Sequence, residues 1–228
     1  MRTMRRTLAT LAMVIASAVT MFAQSVRPAV VEYTAAAEGQ YEVVNDSLLP
    51  LFVTMEAKSF TIDKDGVAKF TQLSPSIHLQ LSETSLRIPP HGKRTVFYKA
   101  SADSYPAWFC VYSSFAGLPK RGTVNIALDL PHTVYLLSKT EAKRDEIQME
   151  DLHAEDGELR GFVRNHSGNM VRLTSLQWNG ANGKKIEAGG FPLLPGGVRE
   201  LHVPLPADAR PEHLHAKLNH FSLDGLVK

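Results

Sequence analysis

The chain has 228 residues, 44% of them hydrophobic, with 25 basic and 23 acidic side chains. That length buries one large core or two modest ones, and the composition is that of a globular protein rather than a disordered one. Arg2, Arg5 and Arg6 open the chain; without them it is near neutral, with no dense Lys/Arg block to attract phosphate backbones, so nucleic acid is not an expected partner.

Those arginines precede an apolar stretch, 8–23, that ends in small residues at Ala16-Ser17-Ala18 and Ala23, the pattern of a secretory signal peptide over 1–23. The stretch is shorter than the roughly 20 apolar residues that cross a bilayer. It also holds Thr10, Ser17 and Thr20, so no stable membrane span is expected after cleavage. Arg5-Arg6-Thr7-Leu8 lacks the flanks of a twin-arginine signal, which points to the general export route. Export permits disulfides, yet Cys110 is the single cysteine, so no internal bridge forms and it reads as a small buried hydrophobe.

Past the signal, apolar residues recur at period two, with Gly, Pro and Asp-Gly punctuation between the runs. Strands are predicted over 40–45, 51–58, 76–81, 95–99 and 108–113. In the second of these Leu51, Val53, Met55 and Ala57 share one face and Phe52, Thr54, Glu56 and Lys58 the other. Asp65-Gly66 suits a tight hairpin, because Gly tolerates positive φ, and Pro89-Pro90-His91-Gly92 marks another turn. Short strands at this spacing, without amphipathic helical runs, predict an all-β fold of two immunoglobulin-like sandwiches. The first spans 28–138; a charged linker covers 139–146; a smaller sandwich covers 147–228. In the latter Leu159, Gly161 and Val163 alternate, as do Leu201, Val203 and Leu205, and Trp178 sits near the turn pairs Asn179-Gly180 and Asn182-Gly183. Gly189-Gly190 and Pro195-Gly196-Gly197 read as further turns.

The most informative run is 123–137. Val124, Ile126, Leu128, Leu130, Val134 and Leu136 share one face with His132, opposite Asn125, Ala127, Asp129, Pro131, Thr133 and Tyr135. Pro131 lacks a ladder donor and favours an edge strand. Such a face either packs wholly into the domain's own core as its last strand, which the residues alone favour, or serves as a long apolar edge that a protein lends to a partner's incomplete sheet.

Asn125-Ile126-Ala127-Leu128 with the alternating run that follows resembles the last strand of the first domain of periplasmic pilus chaperones. Leu86-Arg87-Ile88-Pro89-Pro90-His91-Gly92, Trp108-Phe109-Cys110-Val111-Tyr112, and Val44-Asn45 with Pro50 soon after fit the same family outline. The resemblance implies a boomerang-shaped periplasmic chaperone of the chaperone-usher pathway. Such a protein caps fimbrial or other secreted subunits by donating an edge strand and delivers them to an outer-membrane usher, without cofactor or chemical step. Carried over, the donor positions are Val124, Ile126, Leu128 and Leu130. The family holds the client's terminal carboxylate with an arginine on the first strand and a lysine on the last. Here Thr133 or Tyr135 occupies the lysine position and neither is basic, while the first strand around Val30, Val31, Glu32 and Tyr33 has no arginine nearer than Arg27. A carboxylate held between the domains requires some Arg or Lys there, and Arg27 and Arg94 are the candidates.

Three histidines, His213, His215 and His220, are enough to fill a zinc shell. On a continuous strand over 212–221, however, the first two face outward beside Lys217 and the third lies with Leu214, Ala216 and Leu218, so no metal site is expected. No nucleophile elbow and no phosphate-binding glycine loop is present, and no enzyme is expected. The alternative to a chaperone is an exported immunoglobulin-like structural or adhesive module at the cell surface. Exposure of Ile126 and Leu128 separates the two.

Overall fold

The computed structural model describes residues 24–117, 127–179, 185–206, 209 and 211–228. The expected signal segment, the expected strand residues 123–126 and most of the two Asn-Gly turn pairs lie outside that set.

Ten strands build the first sandwich: β1 (Ser25–Arg27), β2 (Val30–Thr34), β3 (Ala37–Asn45), β4 (Leu51–Ile62), β5 (Ala68–Gln72), β6 (Ile77–Leu81), β7 (Ser85–Ile88), β8 (Gly92–Ala102), β9 (Ala107–Gly117) and β10 (Leu128–Leu137). One sheet runs β1-β3-β8-β6; the other runs β2-β10-β9-β4-β5, with β7 also paired to β4. Alternation sets the faces. In β4, Leu51, Val53 and Met55 are buried while Phe52, Thr54 and Glu56 are exposed. They meet Tyr41, Val43, Ile88, Val96, Phe109, Val111, Val134 and Leu136 in a single core. Each such side chain contributes about 2 kcal/mol of transfer free energy, which is what holds a sandwich without a disulfide.

Two turns of the first sandwich follow the sequence reading. Gly66 has a φ of 83° in the β4–β5 hairpin. The Asp63 carboxylate accepts from the N–H groups of Asp65 and Val67 there. The Gly92 N–H donates to the Pro89 carbonyl between β7 and β8.

A single-turn 3-10 helix, Arg144–Glu146, leads into the second sandwich. Its strands are β11 (Ile147–Glu155), β12 (Glu158–Asn165), β13 (Val171–Asn179), β14 (Lys185–Leu193), β15 (Val198–Pro204), β16 (His213–Leu218) and β17 (Ser222–Leu226). They form the sheets β11-β12-β15 and β14-β13-β16-β17 around Leu159, Val163, Leu173, Leu176, Trp178 and Leu214.

Each sandwich carries a buried asparagine at the end of a strand. The Asn45 amide nitrogen donates to the carbonyls of Leu49, Ile88 and Pro89 at 2.8, 3.3 and 2.9 Å. Its Oδ1 accepts from the Ser47 N–H and hydroxyl. The Asn165 amide nitrogen donates to Asn169, Leu193 and Leu194 at 2.7, 3.2 and 3.0 Å, and its Oδ1 accepts from the Ser167 N–H and hydroxyl.

Three sequence expectations are corrected. Gly189-Gly190 is not a turn but lies within β14. There a Cβ at Gly190 would fall 1.9 Å from the Leu173 carbonyl oxygen, so glycine serves close backbone approach to β13. The strand expected over 212–221 ends at Leu218, where the chain bends through Asn219 and His220 into β17. Finally, β10 is not an edge throughout its length, because β2 pairs with its second half.

Candidate functional site: the β10 edge and the junction between sandwiches

Along one side β10 pairs antiparallel with β9 from Leu128 to Leu136. Along the other, β2 pairs parallel over the Thr133–Leu137 register only. The Thr133 N–H donates to the Ala29 carbonyl at 2.7 Å, and the Leu137 carbonyl accepts from the Ala35 N–H at 2.8 Å. Odd-numbered residues of β10 therefore aim their main-chain groups at the β2 side. Before Thr133 no strand of the described residues covers that side, so Asp129 presents a free N–H and carbonyl there and Pro131 a carbonyl alone.

The even-numbered side chains rise out of the core in order. Leu136, Val134 and His132 are fully buried, Leu130 is half-buried and Leu128 is 41% exposed. Val124 and Ile126 lie outside the described residues. Leu128 stands opposite Phe115 on β9, as does Val53 of β4, so the exposed Leu48, Leu49 and Phe52 gather at the same end of the sandwich.

His132 sits where β2 begins. Its Nδ1 is 2.7 Å from the Pro28 carbonyl and its Nε2 is 3.1 Å from the Tyr98 hydroxyl. A carbonyl only accepts, so the proton is on Nδ1 and Nε2 accepts from Tyr98. The Tyr98 oxygen is in turn 3.1 Å from the Tyr33 hydroxyl, which donates to it. The ring stacks on Tyr41 with centroids 4.5 Å apart. Burial lowers the His132 pKa, opposed by the bond to Pro28. Burial likewise raises Tyr98 and pushes Tyr41 up to about 12, so the tyrosines stay neutral.

Of the odd-numbered side chains, Tyr135 and Leu137 meet the second sandwich, while Asp129 and Pro131 are exposed. Thr133 is paired in register with Cys110, whose thiol is buried and pushed up to about 11 by that burial. Tyr135 is buried in an apolar cluster with Phe60, Cys110 and Leu194, flanked by Trp108, Leu137 and Met170. The Trp108 indole N–H donates to the Phe60 carbonyl at 2.7 Å. The Arg172 guanidinium, from β13, lies 5.4 Å from the centre of the Tyr135 ring, and its Nε donates to the Glu32 carboxylate at 2.5 Å. A second contact is made by the β4–β5 hairpin. The Glu200 N–H donates to the Lys64 carbonyl at 2.7 Å, the Lys64 ammonium pairs with the Glu200 carboxylate, and Arg199 lies against Gly66.

Both positions to which the sequence resemblance assigned a basic anchor hold neutral side chains. Arg27 and Arg94 lie on the other sheet, opposite Glu42 and Val43, away from the junction. The basic groups that do reach it are Arg172 beside Tyr135 and, at the β4–β5 hairpin, Lys64 and Arg199; sequence reasoning missed them together with Leu194. An arginine between Val171 and Leu173 on an alternating strand carries no signal of its distant partner. His213, His215 and His220 do not converge: His215 bonds Asp224 at 2.8 Å and His220 pairs with Glu141 at 3.3 Å. Among the described residues no group of three or more potential ligands forms a metal site.

No protein-family model matches this chain, and no curated protein matches it in sequence. Solved structures match along nearly its whole length. The class 5 fimbriae chaperone CfaA gives a TM-score of 0.56 at 8% identity, covering 90% of this chain and 99% of that one. A chain of the Salmonella enterica complex of the SafA pilin with the SafB chaperone gives 0.57 at 13% identity, covering 92% and 98%. The E. coli chaperone DraB gives 0.51 at 14% identity, covering 90% and 98%. The chain has the fold of these fimbrial chaperones, two immunoglobulin-like sandwiches in succession.

Proposed function

We propose that this chain is a divergent periplasmic chaperone of the chaperone-usher pathway, which binds a secreted fimbrial subunit by adding the β10 edge to that subunit's incomplete sheet. The observation that carries the reading is the free main-chain edge of β10 ahead of Thr133, bordered by an apolar row that emerges from the core at Leu130 and Leu128. Main-chain hydrogen bonds supply affinity in such pairing and alternate side chains supply specificity. Val124, Ile126, Leu128 and Leu130 are the donor side chains.

Thr133 and Tyr135 offer no charge to a client carboxylate, so strand addition carries most of the affinity. A charge-assisted bond to a carboxylate is roughly twice as strong as a neutral one, and its loss leaves the edge itself as the main determinant. The exposed Leu48, Leu49 and Phe52 add apolar surface at the same end of the sandwich as Leu128, available to an outer-membrane usher.

The test is co-expression of the mature chain with fimbrial subunits encoded beside it, in wild-type form and as the double substitution Ile126→Asp/Leu128→Asp. Capture by the wild type and loss in the folded double variant support strand donation. Absence of any captured subunit transfers the reading to an exported structural or adhesive module.

A further inference from the structure

We infer that β2 is an acid-releasable strap on the β10 edge, latched by His132. Its bearing on client binding rests on the function proposed above; the strap itself does not.

β2 is an outermost strand of five residues whose sole sheet partner among the described residues is β10. It covers Thr133–Leu137, the continuation of the edge left free ahead of it. Its entry is fixed by the Pro28 carbonyl on His132 Nδ1, and its last pleat by the Tyr33 hydroxyl on Tyr98, whose own hydrogen goes to His132 Nε2. One imidazole thus orients the hydrogen bonds at two points of the strap. At its outward face Glu32 is held by Arg172.

The groups that meet the ring are Tyr33 from β2, Tyr41 from β3, Tyr98 from β8, and Val111 opposite it on β9, where the Cys110 thiol lies on the other face of the sheet. None is charged at neutral pH. A proton taken up from solvent at Nε2 turns that atom into a donor, so Tyr98 must reverse its hydrogen toward Tyr33 and Tyr33 must surrender its donation. The imidazolium is then enclosed without a counter-charge. Detachment of β2 removes the wall formed by Pro28 and Tyr33 and admits water to the ring. It also extends the free edge of β10 to Leu137, which accommodates a longer client strand.

The experiment is hydrogen exchange on the isolated chain, read as protection factors for the amides of β2, of β3 and β9 in the same sandwich, and of β13 and β16 in the other, between pH 7.5 and 5.0, with the His132 ring titrated by NMR in the same samples. The expected result is a loss of β2 protection of at least tenfold, with the midpoint of the ring titration, while β3, β9, β13 and β16 keep theirs. In His132→Phe, which retains a ring against Tyr41, the β2 amides are expected to show no pH dependence. Constant β2 protection, loss of protection across the whole first sandwich at once, or a pH dependence that survives His132→Phe overturns the inference. Should that variant not fold, the wild-type titration decides alone: a ring midpoint separate from strap release overturns it. No client enters the measurement, so its outcome and that of subunit capture are independent.

Discussion

Asn45 and Asn165 occupy equivalent places in the two sandwiches: each is buried, each donates its amide to three carbonyls across a turn, and each accepts from the serine two residues later. The motif is a repeated Asn-x-Ser, in Asn45-Asp46-Ser47 and Asn165-His166-Ser167. It ties the end of one strand to the carbonyls of a neighbouring turn and of the strand end beside it. Asn45→Ala removes three donated hydrogen bonds, each worth about 1 kcal/mol, and is expected to cost about 3 kcal/mol. Urea denaturation of Asn45→Ala and Asn165→Ala measures it, and a loss below about 1 kcal/mol in both would show that water replaces the side chain.

The junction gives a second expectation. The Arg172–Glu32 pair is partly exposed, so its coupling in a double-mutant cycle should be about 0.5–1 kcal/mol. Leu194→Glu buries a charge in the apolar cluster and should separate the sandwiches. Small-angle scattering would then show a larger radius of gyration with secondary structure unchanged; an unaltered radius would mean that the polar contacts of the β4–β5 hairpin suffice.

Cys110 should be inert. With the thiol buried and its pKa pushed up to about 11, a thiol reagent at pH 8 labels it slowly in the native protein and promptly in urea. Prompt native labelling would reveal frequent opening of the junction.

Pro131 withholds one donor from the free edge. Pro131→Ala supplies an N–H aimed at an incoming strand, for a gain of about 1 kcal/mol, or roughly fivefold in client affinity. Titration of a captured subunit measures the change. Unaltered affinity would place the client away from this edge.

Stability should depend on pH through His132. Its unfolded pKa is near the ordinary 6.5 and its folded pKa lies lower, so between the two the unfolded chain binds the extra proton. The stability associated with neutral His132 is therefore complete above about 6.5 and is lost as pH falls toward the folded value. Urea midpoints at pH 7.5 and 5.0 should fall for the wild type and fall less for His132→Phe; equal falls would assign the effect to other groups.

Local pattern made much of this protein legible. Leu51, Val53 and Met55, or Val134 and Leu136, declare their faces because a strand alternates at period two whatever it packs against. Asp65-Gly66 marked its turn because few residues other than glycine accept a φ of 83°. The row Leu128, Leu130, Val134 and Leu136 was readable for the same reason, and with it the candidate donor strand. Gly189-Gly190 was misread because close approach to the Leu173 backbone is a property of two strands, not of one. Only the tertiary structure decided that β2 closes the second half of β10, that His132 lies under Pro28 and Tyr98, and that Arg172 reaches Glu32 across 140 residues of chain. Alternation determines which side of a strand is apolar. Which strand lies alongside it, and so which edge stays open, depends on long-range pairing among many strands of similar pattern.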